Sequence, residues 1–402
     1  MPTNMHPAKP KRLLVTISDQ LGAIVRKGEL TPRYYNPGEL FDQVHIMATN
    51  DDRVDPSDLQ TTVGRAKLFL YNIPLARRAF TRSLGYRPCL LKQWARTGVR
   101  LAKQIRPDLI RCYGNSFNGL LGVEIKHALG IPMIVSLHSH PEENVRAERV
   151  KLWPDWKRRL APVMHRAVER VTLQNADIVL PVYGSIRGYA ERYGAKTVEV
   201  VYNVLNPSHL RKKHSYDLHN PVRIISVGRQ YVAKNPEHII RAVADLDANL
   251  TLVGDGPFHE HLRKVTVACR AEQKVTFLSA IPNDALCEML PEFDIFAVHS
   301  TVSGEFPKTL LEALLTGLPV VLNRCNPPAL ELADSDGSWI LLVENTREGY
   351  LENFRRLIED EELRECLGRT AYAHAQENWA PDQMEAKVVR ICSELMQEPI
   401  GA

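Results

Sequence analysis

The chain has 402 residues, 44% of them apolar and 24% charged, with a formal net charge of +4; these ordinary globular proportions exclude a fibrous or disordered protein. It holds no run of about 18 apolar residues, which excludes a membrane-crossing helix, and its opening MPTNMHPAKPKR lacks the apolar core of a signal peptide. Seven cysteines (Cys89, Cys112, Cys269, Cys287, Cys325, Cys366 and Cys392) lie scattered without C-x-x-C spacing, so reduced thiols in a cytoplasm are expected instead of a disulfide framework or a structural zinc.

In chain order, short runs rich in Val and Ile predict strands at 12–17, 44–49, 109–113, 133–138, 178–182 and 198–202. A second set follows at 222–227, 250–253, 275–278, 295–298, 320–322 and 340–343. Their continuous apolarity means that both faces are buried, as in a parallel sheet covered by helices. Segments of helical period alternate with them. The expected class is therefore α/β, two doubly wound Rossmann-like domains, with ligands bound outside the carboxyl ends of the strands.

The join falls near 203–221, which is polar and proline-bounded. Expected domains are 1–203, 204–375, and a final helix in 376–402, the tail being broken around Trp379-Ala380-Pro381. Charge divides likewise, +13 over residues 1–200 and −9 over 201–402. From Leu59 to Pro107 there is no acidic residue, while cations from Arg65 to Arg106 interleave with Phe69, Tyr71, Phe80 and Trp94. A surface that meets anionic lipid headgroups or a phosphate-bearing acceptor has this composition, and so has a plain solvated face. No nucleic-acid motif accompanies it, so nucleic acid is not an expected partner.

Four segments carry chemistry. HSHPEENVR, from His138, places two histidines and two acids after a buried strand, open to a cleft histidine, a structural loop or a metal ligand. VGRQYVAKNPEHII, from Val227, sets Arg229 and Lys234 beside a strand end, where a forked guanidinium and a point charge suit a diphosphate. VGDGPFHEHL, from Val253, is a turn that lets the backbone approach a ligand. SGEFPKTLLEALLTGLPVV, from Ser303, supplies a loop carboxylate, a helix start at Pro307, a second carboxylate and a Gly-Leu-Pro stop. Such a helix start favours an anion, and the carboxylates can accept from hydroxyls.

The succession VGR…K, VGDGP and DIFAVHS…GEFPKTLLEALLTGLPVV resembles the retaining glycosyltransferases of family 4 (glycosyl transferases group 1) over residues 222–379, with a looser match before them. The resemblance implies the GT-B fold, two Rossmann-like domains facing across a cleft. It implies transfer of a hexose from a UDP- or GDP-sugar to an acceptor hydroxyl with retained configuration, without a cofactor or bound metal. By the same token Arg229 and Lys234 bind the donor diphosphate, and Glu312 the ribose. The backbone at Phe306, Pro307, Lys308 and Thr309 cradles sugar and phosphate, Gly22 lies near the phosphates, and His138 lies by the transferred sugar. The final helices would brace the first domain.

The family spaces its two carboxylates E-x7-E, whereas here Gly304 stands at the first place and Glu305 follows. Two readings are open. In one, seven positions return to nearly one helical face, so that Glu305 and Glu312 line one groove with Glu305 at the sugar and Glu312 at the ribose. In the other, Glu305, which precedes the helix, is shifted by one residue through its glycine-bearing loop to restore the family's contact. Glu305 replacing the usual acid, a changed sugar preference and lost activity all remain open. Other readings are an inverting transferase, a sugar-nucleotide epimerase, and a degenerate homologue that only binds. The acceptor is a glycan, a lipid-linked or a small molecule; a lipid-linked one would suit attachment to the inner face of a membrane through 65–106.

Overall fold

A computed structural model describes residues 9–28, 30–75, 88–140, 166–302 and 304–397. Glu29, Ser303, residues 76–87 of the basic stretch, and Glu142, Glu143 and Arg146 of the histidine segment lie outside the described residues. Among the described residues twelve strands form two six-stranded sheets, with orders β3-β2-β1-β4-β5-β6 and β12-β11-β10-β7-β8-β9. The first holds β1 (Arg12–Ile17), β2 (Gln43–Ala48), β3 (Lys67–Asn72), β4 (Leu109–Tyr113), β5 (Met133–Leu137) and β6 (Ile178–Pro181). The second holds β7 (Val222–Val227), β8 (Ala248–Val253), β9 (Val275–Leu278), β10 (Ile295–Val298), β11 (Val320–Asn323) and β12 (Leu341–Val343). All the pairings are parallel; β1 registers Leu13 on Val44 and on Leu109, and β7 registers Ile224 on Leu250 and Ile295.

Each sheet reverses its winding beside its own first strand, at β1/β4 and at β7/β10. Loops leaving those pairs part to opposite faces and open a crevice at the carboxyl ends. The fold is the expected pair of doubly wound α/β domains, and β1, β4, β7, β9 and β10 fall where the apolar runs predicted them. Two elements differ. Residues 198–202 contribute only a single bridge, Val179 with Val198. Strand β3 was hidden in the basic stretch, because an edge strand alternates exposed and half-buried residues and carries no continuous apolar run.

The last two helices, Glu361–Trp379 and Pro381–Gln397, meet at Trp379. Met384, Val388, Ile391 and Cys392 of the final helix join the apolar cluster that covers one face of the first sheet. Its Glu385 accepts from the Gly38 N–H (2.8 Å) and from Arg33 (2.9 Å), and its Lys387 donates to the Val200 carbonyl (2.8 Å). Trp379 itself packs against Phe306 (4.7 Å between ring centres) and Tyr202 (5.8 Å), so the helix crossing touches the loop before the second domain's ligand helix.

Candidate active site

That ligand helix, Lys308–Thr316, begins directly after Pro307. Its first-turn N–H groups have no acceptor inside the helix, and Pro307 has no N–H to offer, so Phe306, Lys308 and Thr309 supply the backbone donors here. Leu310 to Thr316 are all buried, which fixes the helix on the sheet. It ends at Gly317 in the left-handed conformation (φ 86°), and Leu318-Pro319 then leads into β11. The helix start faces a small cavity at the ends of β7, β8 and β10, whose walls include Gly228, Lys234, His299, Ser300, Pro307 and Thr309.

Lys234, which lines this cavity, meets Glu305, 71 residues away in sequence. The ammonium donates to Glu305 Oε1 at 2.6 Å, and the Ser300 hydroxyl donates to Oε2 at 2.8 Å. Glu305 itself borders a second hollow, with Arg324, Cys325 and Asp336. The Lys234–Glu305 bond thus links the two hollows, which share Ser300 and Pro307 as walls. Glu312 lies elsewhere. It is 1% exposed, accepts from the Asn283 side-chain amide at 2.7 Å, and has the Lys308 ammonium at 3.7 Å. The two carboxylates therefore do not share one groove: Glu305 precedes the helix, and the loop carries it away from the helical face that the spacing implied.

The loop holding Lys234 is fastened to its neighbour. The Gln230 side chain donates to the Gly254 carbonyl (2.7 Å) and its oxygen lies 2.8 Å from His259 Nδ1, while the Phe258 N–H donates to the Gln230 carbonyl (3.0 Å). A β-carbon at Gly256 would fall 2.0 Å from that carbonyl, so the VGDGP turn needs glycine for contact between two protein loops. Arg229 is exposed, its guanidinium 5.9 Å from the Tyr231 ring centre, and it does not border the cavity.

In the first domain, Gly22 opens the helix Leu21–Arg26, and its N–H donates to Asp52 Oδ2 at 2.8 Å. A side-chain carboxylate thus occupies the amide that the resemblance implied for a phosphate. His138 follows β5 as a solvent-accessible residue whose ring packs into the protein, stacked on Tyr113 (5.5 Å, 9°) with the Tyr34 hydroxyl 3.4 Å from Nε2. Desolvation by the surrounding protein and repulsion from the Arg111 guanidinium lower its pKa to about 4, against a bond that the ring donates to Asn203. The imidazole is thus neutral at pH 7 and can both donate and accept.

Sequence reasoning missed Asp52, Gln230 and His299. His299 is 8% exposed, and burial, with repulsion from His238, lowers its pKa to about 4. Its position in DIFAVHS, at the end of a fully buried strand, was the available signal.

Comparison with known proteins agrees with this layout. Residues 40–209 match the family model described as Glycosyltransferase Family 4, and residues 210–374 match that of Glycosyl transferases group 1. The sulfoquinovosyl transferase of Arabidopsis thaliana is 25% identical over 300 residues, 72% of this chain and 56% of that protein. A Campylobacter jejuni 4-alpha-N-acetylgalactosaminyltransferase, named for a diphospho-undecaprenol substrate, is 26% identical over 207 residues, 50% of this chain and 56% of its own. The chain spans little more than half the length of these two relatives. Anabaena HepE, crystallised with UDP, superposes over 96% of this chain and 100% of its own with a TM-score of 0.73 at 17% identity, a likeness of fold.

Proposed function

The chain belongs to the group 1 glycosyltransferases of GT-B fold, and on that premise we propose that it moves a sugar from a UDP-sugar to an acceptor hydroxyl with retained anomeric configuration. The observation that carries this reading is the Lys234–Glu305 pair at 2.6 Å beside the free helix start, a cation and a hydroxyl acceptor at the carboxyl ends of β7 and β10. As the sugar–phosphate bond breaks, negative charge gathers on the diphosphate. Lys234, with Arg229 reaching over the rim, and the N–H groups of Lys308 and Thr309 meet that charge without a metal. Glu305, released from Lys234 by the incoming phosphate, takes the sugar hydroxyls, and Glu312 with Asn283 faces the ribose. Neutral His138 holds the sugar from the first domain, a positioning role in place of a strong base. Retention follows if the acceptor attacks on the face the diphosphate leaves, and the departing phosphate takes the acceptor's proton.

The acceptor we propose is lipid-linked. On the helix Pro88–Ile105 the cations Lys92, Arg96, Arg100 and Lys103 are all exposed and recur at four- and three-residue spacing, along one side of the helix. Such a stripe attracts an anionic membrane surface by about 1 kcal/mol per cation close to it. The Campylobacter relative's polyprenol-linked substrate supports the same choice.

A thermal-shift screen of UDP- and GDP-sugars tests the donor, and NMR of the product tests retention. A UDP-sugar that raises Tm and is transferred without anomeric inversion is expected. An inverted product would turn the reading to an inverting enzyme, and tight donor binding with neither transfer nor hydrolysis to a binding homologue. For the membrane, flotation with anionic vesicles at low salt should carry the chain upward; failure to float leaves a soluble acceptor.

A further inference from the structure

Gly304, at the place where the family carries an acid, is held from both domains. Its N–H donates to the Pro327 carbonyl at 3.1 Å, and its carbonyl accepts from the Ser185 hydroxyl of the first domain at 2.7 Å. Its φ is +67°, and a β-carbon there would meet Ser185 Cβ at 2.6 Å. One residue before Ser185, the Gly184 N–H donates to Glu331 Oε1 of the second domain at 2.6 Å, and the Tyr202 hydroxyl donates to the same oxygen at 3.1 Å. Residues 184–185 therefore grip the second domain at two points, the loop of Glu305 and the loop of Glu331.

We propose that Ser185 and Glu331 are positioning residues for the transfer reaction: their contacts, made when the domains close, fix Gly304 and so set the Glu305 carboxylate at the sugar end of the donor site. Glu305 follows Gly304 directly, so the backbone that Ser185 holds is the backbone that aims the carboxylate at Lys234 and Ser300. Gly304 accounts for the reversed order Gly-Glu in this chain: the place next to Ser185 admits no side chain, and the acid moves one residue on. Glu331 grips through a single oxygen. Its Oε2 is buried with no hydrogen-bond partner among the described residues. A carboxylate left half unsatisfied is costly as a permanent strut, but it suits a contact that forms on closure and returns to water on opening.

This inference rests on the proposed transferase reading, and two readouts keep them apart. Steady-state kinetics with the UDP-sugar found in the donor screen are measured for Ser185→Ala, Glu331→Ala, Glu331→Gln and the double alanine variant. Loss of one such bond is expected to lower kcat about tenfold while donor KM stays within about twofold. Glu331→Gln, which keeps an acceptor oxygen, should recover most of the rate. The double variant should lose little more than either single one, because both act on one contact. Hydrogen–deuterium exchange with and without UDP reads the same contact without turnover: the Gly184 amide and peptides containing Gly304 and Glu305 should exchange faster in both alanine variants, with Tm unchanged. If exchange and kcat are unaltered, or if the single losses multiply along with a fall in Tm, the assignment is wrong. If no donor is turned over but exchange rises as described, the transferase reading fails and the contact stands.

Discussion

Glu305 and Gly304 illustrate how one residue position can be settled by its neighbours. A left-handed backbone and a close hydroxyl make position 304 suitable for glycine alone, so Gly304→Ala is expected to cost about 1–3 kcal/mol in urea unfolding and to lower turnover as well. Glu305→Gln keeps the shape but cannot hold Lys234 as an ion pair; about a hundredfold lower kcat with Tm nearly unchanged is the outcome expected on the proposed function. His138 offers a pH test. Its pKa is lowered to about 4, so it stays neutral through the range where an ordinary histidine gains a proton. The kcat/KM profile should therefore show no step near pH 6.5, and a step there would argue against a neutral positioning histidine. For stability the sign follows from the same direction. Buried His299 sits at about 4 against an ordinary 6.5, so its contribution is complete above pH 6.5 and is lost as pH falls from there toward 4. Tm should decline over that window, and less steeply in His299→Gln.

Among elements, the helix Lys308–Thr316 was the easiest to read and β3 the hardest. The helix announces itself by a proline start, an apolar run and a glycine stop, three local signals that agree. Since Leu314 is fully buried, Leu314→Ala should destabilise by about 2–5 kcal/mol, measured by chemical denaturation, and loosen the helix start with it. β3 gives no such signal. Its residues alternate between solvent and partial cover at the edge of the sheet, and the lysines and arginines around it read as surface. The exposed stripe on Pro88–Ile105 belongs to the same stretch, and reversing Lys92, Arg96, Arg100 and Lys103 to glutamate should abolish flotation with anionic vesicles while sparing Tm.

Across the whole molecule, the final helix covers one face of the first sheet after the chain has already completed the second. Replacing Val388, 1% exposed in that interface, by aspartate should bury an unpaired carboxylate and unfold the first domain preferentially, seen as a separate early transition in calorimetry. The sequence by itself determined the two sheets, their parallel burial, the place of the crevice and the residue types of the loops at the strand ends, because periodicity, turn residues and helix signals act over a few neighbours. Only the tertiary structure decided which groups meet: Lys234 with Glu305 at 71 residues' separation, Gly22 with Asp52 at 30, Gly184 with Glu331 at 147. Those pairings depend on where loop backbones end up once the sheets have formed and the domains have met, and no local pattern encodes a partner thirty or more residues away. For that reason the single groove allowed by the spacing of the two carboxylates gave way to two environments, while the helix that separates them lay where the sequence had placed it.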